Sequence, residues 1–153
     1  MSLPNEENAE KEAVGSSIDF TRVHDDEFLF RAVPNQPSFI KEDGSVTSAA
    51  LKDSHGGVSV DRDGGRQDAD VIHFFCETQN SLVQNGLKKP IEYAKFLKIK
   101  TSVVRENECD VDPKPLDQNP FHAEITQNGS GNLKSSTARK IVKIVPAIDN
   151  SFN

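Results

Sequence analysis

The chain of 153 residues has no tryptophan, and only 35% of its residues are apolar against 27% charged, so its core is modest and its surface thoroughly hydrated. No stretch approaches the roughly 18 uninterrupted apolar residues that a membrane helix requires. Met1-Ser2-Leu3-Pro4-Asn5-Glu6-Glu7 also lacks the basic-then-apolar order of a signal peptide. These absences predict no membrane partner and a cytoplasmic location. Clusters of Lys and Arg are missing as well. The 18 basic against 24 acidic residues leave a net charge of −6, which argues against wrapping a nucleic-acid backbone. A small anionic ligand held by a single basic pocket stays open. The two cysteines, Cys76 and Cys109, are too few and too far apart for a disulfide scaffold, and read as reduced, partly buried thiols. Cys76 has only His73 nearby as a second soft ligand, so no metal site and no cofactor are expected.

What is present divides the chain in two. Residues 1–17 carry four Glu and only Leu3 and Val14 as branched apolar groups. They bury too little surface to offset an ordering cost of roughly 1–2 kcal/mol per residue, which predicts a flexible acidic tail. Residues 18–153 form the single domain. Phe28 to Val33 is a strand candidate ended by Pro34. From Asn35 to Gly65 turn signals alternate with the short runs Ser38–Ile40, Val46–Leu51 and Val58–Val60, predicting loops joined by short strands.

Val71, Phe74, Phe75, Thr78 and Leu82 stand at helical offsets, with Asp68 or Asp70 as N-cap and Gly86 as the stop. Ile91–Ile99 fits an alternating strand, and Thr101–Glu106 a short helix with a Ser/Thr cap. Cys109–Asp112 then leads into the rigid stop Pro113-Lys114-Pro115. Phe121–Ile125 alternates as a half-buried strand does, and Gln127–Asn132 reads as a flexible loop. Ser135 or Ser136 caps a last helix with Ala138, Ile141, Val142 and Val145 on one side and Arg139, Lys140 and Lys143 on the other, closed by Pro146. Interspersed helices and strands without a βαβ repeat indicate an α+β fold.

Leu29-Phe30-Arg31-Ala32-Val33-Pro34, Ser48-Ala49-Ala50-Leu51-Lys52, Val58-Ser59-Val60-Asp61-Arg62 and Asn119-Pro120-Phe121-His122-Ala123-Glu124-Ile125 together resemble a group of small, uncharacterised bacterial proteins. That group shares an early Arg, a Ser-Ala-rich run before a Ser-Val-Asp-Arg-like run, and a late Pro-x-His-Ala element before a terminal helix. The resemblance spans about Glu27 to Val145 in scattered motifs. It implies a compact single domain of bacterial or phage type and carries no activity. Leu51, where the group has an aromatic residue, and the Gly-rich loop before Ser135 depart from the pattern.

Five residues are candidates for a ligand site: Arg31, Ser59, Asp61, Arg62 and His122. Arg31, within an apolar run, either faces solvent, pairs with Asp61, or clamps a carboxylate or phosphate through its planar fork. Ser59 and Asp61 share one face of a strand, beside glycines that allow close approach of a ligand or simply make turns. His122 faces opposite to Phe121 and Ala123, and is expected to share its side with Glu124 only across a bulge; it is a general-base candidate or a structural histidine. No nucleophile elbow accompanies Ser59, His122 and Asp61, so hydrolysis by that set is not expected. An ADP-ribosyl-transfer-like arrangement of Arg31, Ser59 and Glu124 lacks an acidic signature on the late strand. His24-Asp25-Asp26-Glu27 reads as a solvated acidic turn, without EF-hand spacing. The expected function is a protein-interaction or accessory module with another protein as partner. The alternative is a small transferase or hydrolase acting on a nucleotide-like or phosphorylated ligand through Arg31, Asp61 and His122.

Overall fold

The structure, a computed structural model, describes residues 18–53, 56–129 and 131–152. The expectation of a flexible acidic tail over residues 1–17 lies outside the described residues. The chain forms a six-stranded antiparallel sheet in the order β4-β5-β2-β1-β3-β6. Its strands are β1 (Phe28–Pro34), β2 (Val58–Arg62), β3 (Tyr93–Lys100), β4 (Cys109–Pro113), β5 (His122–Gln127) and β6 (Ala147–Asp149). Among the described residues three helices accompany them, α1 (Asp68–Gln84), α2 (Thr101–Glu106) and α3 (Ser135–Ile144), and Ser48–Leu51 makes one 3-10 turn. The fold is α+β, as the interspersed patterns indicate.

Alternation along the strands sorts side chains to two faces. Leu29 and Val33 of β1, Leu97 and Ile99 of β3, and Ala123 and Ile125 of β5 meet Ala138 and Ile141 of α3 in the larger core. Half-buried Val142 and Val145 pack against it, while Arg139, Lys140 and Lys143 are exposed, as the helical spacing predicts. On the other face Phe30 and Phe96 pack against Val71, Ile72 and Cys76 of α1. The apolar stripe of α1 is thus used in two parts. Its first turns bury Val71 and Ile72 over β1 and β3, whereas Thr78 and Leu82 stay half-buried beyond them.

Several local expectations are corrected. β4 and β6 are strands that the sequence patterns did not mark, both at sheet edges where five and three residues suffice for pairing. Among the described residues of 35–53 only an isolated Ile40↔Val46 bridge and the 3-10 turn form, because the turns leave runs too short for a ladder. Among the described residues, no α-helix has its start satisfied by a side-chain cap. Asp68 instead reaches Lys98 at 2.9 Å, and the Thr101 hydroxyl donates to the Glu27 carbonyl at 2.9 Å. Gly86, with φ of 71°, stops α1 in the left-handed conformation its position requires.

Candidate functional site

A helix roughly 10 Å wide covers about two strands spaced about 4.8 Å apart. α1 packs Val71, Ile72 and Cys76 on Phe30 of β1 and Phe96 of β3, and on the same face β2 and β5 carry the polar residues Ser59, Asp61, His122 and Glu124. Between these strands, the C-terminal half of α1 and the loop holding Asn119 opens a cleft of about 630 Å³. Phe30, Phe75, Leu82 and Tyr93 give it apolar and aromatic walls. Arg31, Ser59, Asp61 and His122 all line this cleft; Arg62 does not.

β2 and β5 pair in regular register, Asp61 opposite His122 and Ser59 opposite Glu124. His122 and Glu124 therefore share a face without any bulge, since residues two apart on a strand point the same way. The room above Gly57 is not free for a ligand. A Cβ there would lie 2.7 Å from Glu124 Oε1, so that carboxylate occupies the space the glycine leaves.

Asp61 is 3% exposed, and its Oδ1 accepts a hydrogen bond from Asn119 Nδ2 at 2.9 Å. Its Oδ2 has no hydrogen-bond partner among the described residues. Burial pushes the carboxyl pKa up to about 6, against the opposing pull of Asn119, His122 and Arg66. Asn119 is itself fixed, its Oδ1 accepting the Phe121 N–H at 3.0 Å. The His122 Nδ1 lies 2.8 Å from the Lys114 carbonyl oxygen, which only accepts, so Nδ1 carries a proton. In the neutral ring, Nε2 is then an acceptor. A serine-protease-like triad is excluded by the same bond, because the nitrogen that would turn to Asp61 is given to Lys114.

Arg31 does not pair with Asp61. β1 and β2 register only at Leu29↔Arg62 and Phe30↔Asp61. Beyond that point the guanidinium bridges the strands, Nη1 donating to the Ser59 carbonyl at 2.9 Å, Nε to Ala50 at 2.8 Å and Nη2 to Lys52 at 3.1 Å. Asp53 stands 3.8 Å from Nη1. Burial lowers the Arg31 pKa, with Asp53 acting against it. Its fork is spent on backbone acceptors, of which the Ser59 carbonyl is one that a continuous ladder would otherwise satisfy. Arg62 is 1% exposed and bidentate to Glu27, at 2.8 and 3.0 Å, with further bonds to the Asp19 and Arg22 carbonyls. Glu27 is accordingly half-buried, unlike the solvated turn expected of it.

Among the described residues, no group of three or more His, Cys, Asp and Glu is arranged to hold a metal ion, and no helix is long and apolar enough to cross a membrane. Cys76 and Cys109 are free and buried, and burial raises both thiol pKa values, Cys109 to about 11. Neither is a reactive thiolate at neutral pH. Asn119 was not singled out from the sequence, although an Asn before Pro signals a turn whose side chain bonds nearby backbone. Compared with family models, curated proteins and solved structures, the chain matches none.

Proposed function

We propose that this chain is a small-molecule-binding domain whose site is the cleft between α1 and the β2–β5 pair. The observation that carries the reading is Asp61, a carboxyl almost wholly buried in the cleft floor with one oxygen unpartnered. An unmatched buried acceptor costs about 1–3 kcal/mol, and a ligand N–H or O–H placed there recovers that cost. Aromatic walls beside a few converging polar groups are the usual composition of a ligand pocket. His122 and Asp61 also supply a pair of groups able to exchange protons with what binds, which keeps transfer or hydrolysis of a nucleotide-like or phosphorylated ligand within this reading. Bacterial or phage origin and a cytoplasmic setting remain part of the same proposal.

The partner-protein reading keeps one observation of its own: Ile91 and Leu116 on the cleft lining are each 43% exposed. Screening decides between the two. The unfolding midpoint and the amide spectra of the parent and of Asp61→Asn are measured with nucleosides, nucleotides, phosphorylated metabolites and organic amines. Ligand binding predicts a rise in midpoint and shifts at Ser59, Tyr93 and His122 for at least one class, reduced in the variant. No shift from any class would leave the partner reading standing.

A further inference from the structure

We propose that the cleft selects a planar organic cation of the amidinium or guanidinium type, docked by its N–H groups on Asp61 Oδ2 and His122 Nε2. This inference rests on the cleft being a ligand site and names the ligand's chemistry. Three observations lead to it. First, Asp61 and His122 present acceptors to the cleft. Asp61 Oδ2 has no partner, and the Nδ1 proton of His122 is committed to the Lys114 carbonyl, which leaves Nε2 to accept in the neutral ring. The two residues are directly opposite on adjacent strands, about 4.5–5.5 Å apart at Cβ as such pairs are, so that one small ligand group can reach both.

Second, the cations lining the cleft are engaged elsewhere. Arg31 is bound to three carbonyls. The Lys52 ammonium reaches Ser135 Oγ at 3.3 Å, and Lys88 contacts Gln79 Oε1 and the Tyr93 hydroxyl. None of them pairs with Asp61, and Arg66, which pulls on it from a distance, donates to the Asp63 and Arg62 carbonyls, so the buried carboxylate has no counter-ion in hydrogen-bond contact. An anionic ligand would add a like charge beside it, whereas a cation supplies what burial has removed. Third, the walls include the rings of Phe30, Phe75 and Tyr93, and aromatic faces attract cations and accommodate flat ones. Across the sheet the same face continues acidic, with Asp112 of β4 opposite Glu124 of β5, which favours approach of positive charge.

The probes are benzamidine, its neutral analogue benzamide and the anion benzoate, titrated by calorimetry and by amide shifts at pH 7.5. Benzamidine is expected to bind at least tenfold more tightly than either analogue, with shifts centred on Asp61, His122 and Tyr93. Asp61→Asn is expected to weaken benzamidine at least tenfold and benzamide less than threefold. His122→Ala, at a half-buried position, is expected to weaken benzamidine threefold or more. Equal binding of benzoate or benzamide, or unchanged benzamidine affinity in both variants, overturns the proposal. If nucleotides or neutral heterocycles shift the cleft signals and benzamidine does not, the cation inference falls and the ligand site stands. If nothing perturbs those signals, both fall.

Discussion

Replacing Asp61 by Asn keeps the shape and the Asn119 contact but removes a charge that burial opposes. The folded protein holds the Asp61 proton up to about pH 6, whereas an ordinary aspartate releases it near 3.8. At about 1.36 kcal/mol per pH unit, that offset corresponds to about 3 kcal/mol. The sign follows from proton binding. The folded state binds the proton more tightly, so this group's contribution is fully favourable below pH 3.8 and is lost as pH rises through 6. Asp61→Asn should therefore gain stability relative to the parent as pH increases, by about 2.5 kcal/mol between pH 4 and pH 8. Urea unfolding of both proteins at half-unit pH intervals measures the difference. Asp43 and Asp110, held below the usual range by their hydrogen bonds, and half-buried Asp63, raised by burial, cancel because both proteins contain them. A difference flat within about 0.5 kcal/mol across that range would refute the reasoning, since a solvated or paired carboxyl shows no such slope.

Three further outcomes follow from the packing. Arg31→Leu leaves the Ala50, Ser59 and Lys52 carbonyls without their donor, and should cost about 2–4 kcal/mol in urea unfolding, with hydrogen exchange rising at the β1–β2 junction. Arg62→Met strands half-buried Glu27, and should lower stability by about 3–5 kcal/mol at pH 7 with partial recovery in Arg62→Met/Glu27→Gln. Ile141→Ala, at a fully buried position of α3, should cost about 2–4 kcal/mol by thermal or urea unfolding; a cost below roughly 0.5 kcal/mol would place the helix outside the core.

Periodicity made much of the fold readable. The apolar run Phe28–Val33 feeds both cores from its two faces, while the alternation of Phe121–Ile125 and the helical spacing of Ala138 and Ile141 each point one set of side chains into the larger core. The edge strands escaped because β4 spells Cys-Asp-Val-Asp-Pro, five residues with one polar face, and β6 only Ala-Ile-Asp. The site was readable as residue types but not as roles. Arg31 and Arg62 stand on neighbouring strands, and nothing local says that one bridges a splayed pair of strands while the other binds Glu27, 35 positions away in sequence. Asp61's solitude is likewise a tertiary fact. It depends on Asn119, 58 positions distant, taking one oxygen and leaving the other.

The most direct test is the carboxyl carbon of Asp61 itself, followed by ¹³C NMR from pH 3 to pH 8 in the ligand-free protein. A midpoint near 6 is predicted, the signature of a buried carboxyl whose second oxygen no protein donor satisfies. A midpoint near 3.8 would show that the oxygen is hydrated or paired, and would remove the acceptor on which the ligand site rests.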